Sequence, residues 1–135
     1  MSRIVPFLTF QPGRGQSAAA AMDFYVTLFA DGSIVSDVRH GPDGPGPEGS
    51  VQVAEFSVAG QVIRCSDSFI THDWNFSPAV SLWVDFADTD EQRRVFDGLA
   101  ADGTPFMPLD DYGFGTFGWV EDRFGVSWQL ALSTS

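Results

Sequence analysis

The chain has 135 residues, with 7 Lys plus Arg against 18 Asp plus Glu and a formal charge of −11. That length fits one domain of ordinary size, and 44% hydrophobic with 14% aromatic residues supplies enough apolar bulk to offset chain entropy, which excludes intrinsic disorder and a multidomain architecture. A surface this acidic repels phosphate backbones and anionic lipid, so neither nucleic acid nor a membrane surface is an expected partner.

Residues 4–10 are aromatic and β-branched over the length of a strand, and Gln11-Pro12-Gly13-Arg14-Gly15 stops it. This apolar run is too short for a signal-peptide core, and no stretch of 18 apolar residues occurs, so a cytoplasmic protein without a spanning helix is expected. Ser17 is a suitable N-cap for a helix that puts Ala21, Phe24, Tyr25, Leu28 and Phe29 on one stripe and closes at Asp31-Gly32. A strand over 33–39 is followed by residues 40–49, whose four Gly and three Pro make an irregular loop that serves as a lid or a dimer contact. Strands at 51–59 and 61–66, hinged at Gly60, read as an antiparallel hairpin. The hairpin carries Cys65, the only cysteine; it has no internal disulfide partner and no clustered Cys/His spacing for zinc, which suits a reducing compartment.

The second half repeats the order of the first. Residues 78–86 alternate as a strand, Asp88 opens a helix that turns Val95, Phe96 and Leu99 inward, and Asp102-Gly103 ends it. A strand at 104–108 and two aromatic strands around 113–121 and 124–132 follow, with Asp122-Arg123 as their turn. A module of about 60 residues cannot bury a one-sided sheet alone. The expected fold is therefore α+β: paired βαβββ modules, about 1–68 and 76–135, in one domain with one curved, cupped mixed sheet and the helices on its convex side.

In its modular order and in four sequence blocks the chain resembles the vicinal oxygen chelate superfamily of glyoxalase, bleomycin-resistance and extradiol dioxygenase proteins, and within it the PhnB-like proteins. The blocks are Ala21-Met22-Asp23-Phe24-Tyr25, the run from Gly46 to Phe56, Ser77-Pro78-Ala79-Val80-Ser81, and the dozen residues from Gly118 to Gln129. Such proteins often carry a 3-demethylubiquinone-9 3-methyltransferase-like label, which the sequence does not support as an activity. Gly13-Arg14-Gly15 lacks the following acidic strand end of a Rossmann-type nucleotide site.

In metal-dependent members of that superfamily, His and Glu ligands come from the first and last strands of each module. Matching the halves by Gly60 with Gly125 and by Phe10-Gln11 with Val84-Asp85 puts Val5, Arg64, Ala79 and Gln129 at those positions. Val and Ala have no lone pair to give, and Arg is a permanent cation, so no metal and no other cofactor is expected. His40 and His72 lie beside loops and read as solvated side chains.

Strand parity gives a second view, since alternate side chains face opposite sides of a sheet. With Arg64 and Gln129 on the cavity side, Ile63, Cys65, Val126, Trp128, Leu130, Val80, Leu82 and Val84 pack on the helices, and Cys65 becomes a buried, unreactive thiol. Arg64, Gln129, Trp83, Glu55, Phe7 and Ser81 are then the candidate ligand-binding residues. Arg64 offers a charge, Gln129 an amide and Trp83 a stacking wall. Glu55 pairs with Arg64, serves as a general base, or both.

Two functions are compatible with this set: a metal-free small-molecule binder like the bleomycin-resistance proteins, or a metal-independent enzyme on a small organic substrate using Glu55, Arg64 and Gln129. Binding is the favoured one, because the groups needed to bind are visible and a complete catalytic set is not. A homodimer is expected, since superfamily members commonly complete their cavities with a partner module, and 4 Trp with 13 Phe are generous for a monomer core.

Overall fold

The computed structural model describes residues 1–133. Its elements run β1 (Phe7–Phe10), α1 (Ala18–Leu28), β2 (Ser33–Arg39), β3 (Val51–Val58), β4 (Gln61–Asp67), β5 (Ser81–Phe86), α2 (Thr89–Ala100), β6 (Thr104–Asp111), β7 (Thr116–Glu121) and β8 (Ser127–Leu132). This is the βαβββ order twice, an α+β fold, and the chain divides into two compact units, Met1–Asp73 and the part from Trp74 onward.

Both helices start where a side chain can satisfy an orphan amide. Ser17 Oγ accepts from Ala20 N at 3.2 Å, and Asp88 Oδ2 accepts from Glu91 N at 2.9 Å. In the first unit the strand order is β1-β4-β3-β2, and in the second β5-β8-β7-β6. The first strand of each unit runs parallel to its last, and the remaining pairs are antiparallel. The sheet expected from the repeat is present as two four-stranded mixed sheets, one in each unit, because each module's last strand pairs with its own first strand.

One face of each sheet is covered by that unit's helix. In the first unit Leu8, Phe10, Ala54, Phe56, Ile63 and Cys65 are buried with Ala18, Ala21, Met22 and Tyr25 of α1, and the Tyr25 ring stacks on Phe56 at 5.6 Å. Met22 is buried, whereas Phe24 and Leu28 of the expected stripe are only half-buried. In the second unit Val84, Phe86, Val120, Trp128 and Leu130 are buried with Val95, Phe96 and Leu99 of α2. Gln92 joins them, its Nε2 donating to the carbonyls of Thr116 at 3.0 Å and Leu130 at 3.3 Å, so the helix is pinned to two strands by one amide.

Several strand limits differ from the sequence expectation for local reasons. β1 and β5 begin later, at Phe7 and Ser81, where their parallel partners Arg64 and Ser127 begin to pair. Val80 therefore precedes the ladder and is 78% exposed rather than packed on the helix. β6 continues past Pro108 to Asp111, which is possible because it is an edge strand paired only with β7 and carries register shifts around Met107. β7 starts late, at Thr116, because Asp111 Oδ1 collects Gly113 N at 2.8 Å and Gly115 N at 3.3 Å into a loop. No helix among the described residues is long and apolar enough to cross a membrane.

Candidate functional site

The face of each sheet turned away from its helix carries the candidate residues. In the first unit one rung runs Phe7, Arg64, Glu55, Ser36 across β1, β4, β3 and β2. Residues opposite one another in a ladder share a face, so Arg64 and Glu55 meet side by side. Arg64 donates to Glu55 Oε2 twice, from Nε at 2.9 Å and from Nη2 at 2.7 Å. Both groups are partly exposed. Because the two bonds share one oxygen, Arg64 Nη1 and Glu55 Oε1 take no part in the pair.

Two other arginines of this unit, Arg39 and Arg14, are committed elsewhere. Arg39 is clasped by Asp37 through bonds of 2.6 and 2.8 Å, which hold the Asp37 carboxyl below its usual range and raise the guanidinium. Arg14 donates to Gln11 Oε1 at 3.2 Å and to the His72 carbonyl.

In the second unit the corresponding rung runs Trp83, Gln129, Trp119, Met107 across β5, β8, β7 and β6. Phe7 and Trp83 are thus equivalent, as are Arg64 and Gln129, and Glu55 and Trp119. The sequence matching was two residues out on the first strands: Val5 corresponds to Ser81 and not to Ala79, because the real register is set by the parallel pairing with β4 and β8. An even slip preserves parity, so the assignment of faces is unaffected.

This second face is knitted together by hydrogen bonds. Gln129 Nε2 donates to Ser81 Oγ at 3.1 Å, Ser81 and Ser127 share a hydroxyl bond of 2.7 Å, and Trp119 Nε1 donates to Ser127 Oγ at 2.8 Å. Trp83 lies outside this network, its Nε1 donating to Asp85 Oδ1 at 2.9 Å. Gln129, Ser81 and Trp83 therefore come together, while Arg64, Glu55 and Phe7 come together in the other unit. Trp119 was missed by the sequence reading, although its placement follows once β7 is set in antiparallel register against Gln129.

His40 and His72 are not the solvated side chains expected. His40 is only 7% exposed, and its ring packs so closely over the 40–49 loop that a Cβ on Gly46 would stand 2.6 Å from it. The loop thus closes over its own histidine. His72 is half-buried, its Nε2 at 3.0 Å from Ser68 Oγ and its N–H donating to Gln11 Oε1 at 2.7 Å. Cys65 is fully buried, and burial, with help from Asp67 and Asp37, pushes its thiol up to about 12.

A metal of the superfamily type finds no donor set here. The open-face residues of the first and last strands are Phe7, Thr9, Val62, Arg64 and Ser66 in one unit and Ser81, Trp83, Asp85, Ser127, Gln129 and Ala131 in the other, with one carboxylate that already holds an indole N–H. Among the described residues no group of three or more His, Cys, Asp or Glu could hold a metal ion. A nucleotide-borne methyl group fits no better at the glycine loop. The α1 N-terminus is occupied by acceptors, Asp67 Oδ1 taking Ala18 N at 2.8 Å, and that carboxylate repels a phosphate. Gly13 is packed against Thr71, whose Oγ1 would lie 2.0 Å from an added Cβ.

The family model for 3-demethylubiquinone-9 3-methyltransferase matches residues 2–131. A solved structure from Bacillus cereus, described as a 3-demethylubiquinone-9 3-methyltransferase, PhnB protein, is 44% identical with a TM-score of 0.90, covering 98% of this chain and 100% of its own. Protein PA1353 from Pseudomonas aeruginosa is 25% identical with a TM-score of 0.82, covering 98% of each chain. A glyoxylase/bleomycin resistance protein/dioxygenase domain from Frankia sp. EAN1pec, 15% identical over 98% of each chain, shares the fold with a TM-score of 0.67. No curated protein matches the chain significantly. With nearly its whole length matched by the family model, the chain belongs to the 3-demethylubiquinone-9 3-methyltransferase, or PhnB-like, family and has the glyoxalase/bleomycin-resistance fold.

Proposed function

We propose that the protein binds a small organic molecule through the open faces of its sheets, without a metal centre and without turning the ligand over. Arg64, Glu55 and Phe7 serve on the first face, and Gln129, Ser81 and Trp83 on the second. The observation that carries this reading is the half-used ion pair: Arg64 and Glu55 are fixed by two bonds to Oε2, which leaves a positioned Nη1 donor for a ligand carboxylate, phosphate or carbonyl oxygen. Aromatic side chains beside a few fixed polar groups are what a small-molecule site requires.

The enzymatic alternative needs Glu55 as general base. Its register neighbours on either side are Arg64 and Ser36, neither of which supplies a second acid–base group, so the binding reading is preferred. The two units work as one domain, the active form is a homodimer, and the site of action is the cytoplasm.

A thermal-shift screen of a metabolite and antibiotic library tests the proposal, because a ligand of the native state raises the midpoint by mass action. The expected result is a saturable rise that Arg64→Gln or Gln129→Ala reduces. Chemical turnover of the hit, abolished by Glu55→Gln, would overturn the binder in favour of the enzyme.

A further inference from the structure

The second unit carries a cluster of exposed aromatic rings around one buried ring. Phe117 is buried, and three rings gather round it: Trp83 at 5.6 Å, Phe114 at 5.6 Å and Tyr112 at 6.4 Å between centroids. Those three remain 55%, 64% and 39% exposed. Tyr112 and Phe114 are carried by the short loop that Asp111 ties down, and the Tyr112 hydroxyl is anchored on the Pro108 carbonyl at 2.5 Å. The patch is therefore held in place by its own bonds.

Its charge is of one sign. The rung through Phe117 runs Asp85, Ala131, Phe117, Asp110, so a carboxylate stands at each end of the row. Asp85 also accepts the Trp83 indole N–H, which enriches the ring in electron density and strengthens its attraction for a cation. The whole chain has no lysine, and the only basic residues of this unit are Arg93 and Arg94 in α2 and Arg123 in the β7–β8 turn. None belongs to the strands of the open face. A second copy of a −11 chain would bring more negative charge to this row, whereas a small cation would neutralise it.

We propose that Trp83, Phe114 and Tyr112, flanked by Asp85 and Asp110, form a subsite for an organic cation, a substituted ammonium whose charge lies against the rings. This names the ligand class of the second face and rests on the small-molecule reading given above. Arg64, in the other unit, has no part in it.

The test titrates the full-length protein with three probes of one ring size: benzyltrimethylammonium, benzyl alcohol and benzenesulfonate. The readout is the Trp83 indole N–H resonance in a nitrogen-15 correlation spectrum at low salt. The cation is expected to saturate the shift with an affinity about tenfold above that of either other probe. Phe114→Ala and Asp85→Asn, both at exposed positions and the latter keeping an acceptor for the indole, should each weaken the cation by roughly threefold to tenfold. Equal or tighter binding of benzenesulfonate, or cation affinity unchanged in both variants, overturns the cation assignment. If only benzyl alcohol or benzenesulfonate saturates the shift, the face is a small-molecule site of another charge preference and this inference alone fails. If none of the three moves Trp83, the cation subsite and the small-molecule reading of this face fail together.

Discussion

Arg64 and Gln129 hold the same register position in the two units, and each has an aromatic ring, Phe7 or Trp83, alongside it on the parallel neighbour. The duplicated positions behave differently on the two faces of the sheets. On the helix side the equivalents stay apolar, with Phe10 matched by Phe86, Ile63 by Trp128 and Cys65 by Leu130. On the open side an ion pair in one unit corresponds to an amide beside an indole in the other. Packing constrains the first set, and ligand chemistry is the proposed reason for divergence in the second.

The Arg64 and Glu55 pair should be measurable as a coupling. In a cycle of Glu55→Gln, Arg64→Gln and the double variant, urea unfolding should show an interaction of about 0.5–1 kcal/mol, as partly exposed pairs do. A coupling near zero would mean that the pair adds nothing to stability and that Arg64 is held for binding alone.

Asp122 is the buried group on which the last hairpin depends. Its Oδ1 accepts Phe124 N at 2.8 Å and Val126 N at 3.0 Å, and its Oδ2 accepts Trp128 Nε1 at 2.9 Å. Asp122→Ala strands three donors and should cost about 2–4 kcal/mol in chemical denaturation. A loss within the range of ordinary surface substitutions would contradict this role.

Gly118 lies mid-strand, where a side chain would enter the core. An added Cβ would stand 2.6 Å from Cε2 and 2.8 Å from Cδ2 of Phe96. Since Phe96 is itself packed between α2 and the sheet, Gly118→Ala should destabilise by about 1–3 kcal/mol. A neutral result would show that the Phe96 ring can move.

Much of this architecture was legible because it is written in periodicity. Ser17 and Asp88 announce both helices as caps, and the alternation over Ile63, Cys65, Trp128 and Leu130 assigns the helix-facing side correctly. What escaped depended on partners distant in sequence. The start of β5 at Ser81 is set by Ser127, and the burial of His40 by a loop whose glycines leave room for a ring. The Trp83, Phe117, Phe114 cluster needed the register of β7 and the loop geometry held by Asp111, neither of which periodicity encodes. Gln92 gave no signal at all, being a polar residue at a helix position whose partners are the backbone carbonyls of Thr116 and Leu130.

Cys65 makes a pH prediction. Its thiol is pushed up to about 12 in the folded protein from 9.0, so the folded state keeps a proton that the unfolded chain loses. The associated stability is fully present below pH 9 and is lost between about 9 and 12, at about 1.4 kcal/mol per pH unit. Relative to Cys65→Val, the wild-type protein should lose stability over this window, and at pH 8 the thiol should react with Ellman's reagent only in denaturant. Rapid labelling of the native protein at pH 8 would contradict the burial.

The binding of a hit from the library to protein stripped of metal is the most direct test of a metal-free binding role. Isothermal titration after exhaustive chelation should give the same affinity and stoichiometry as before it, and added nickel, zinc or iron should change neither, because no cluster of donors among the described residues could hold such an ion. Loss of binding on chelation, restored by one equivalent of a divalent metal, would contradict the account.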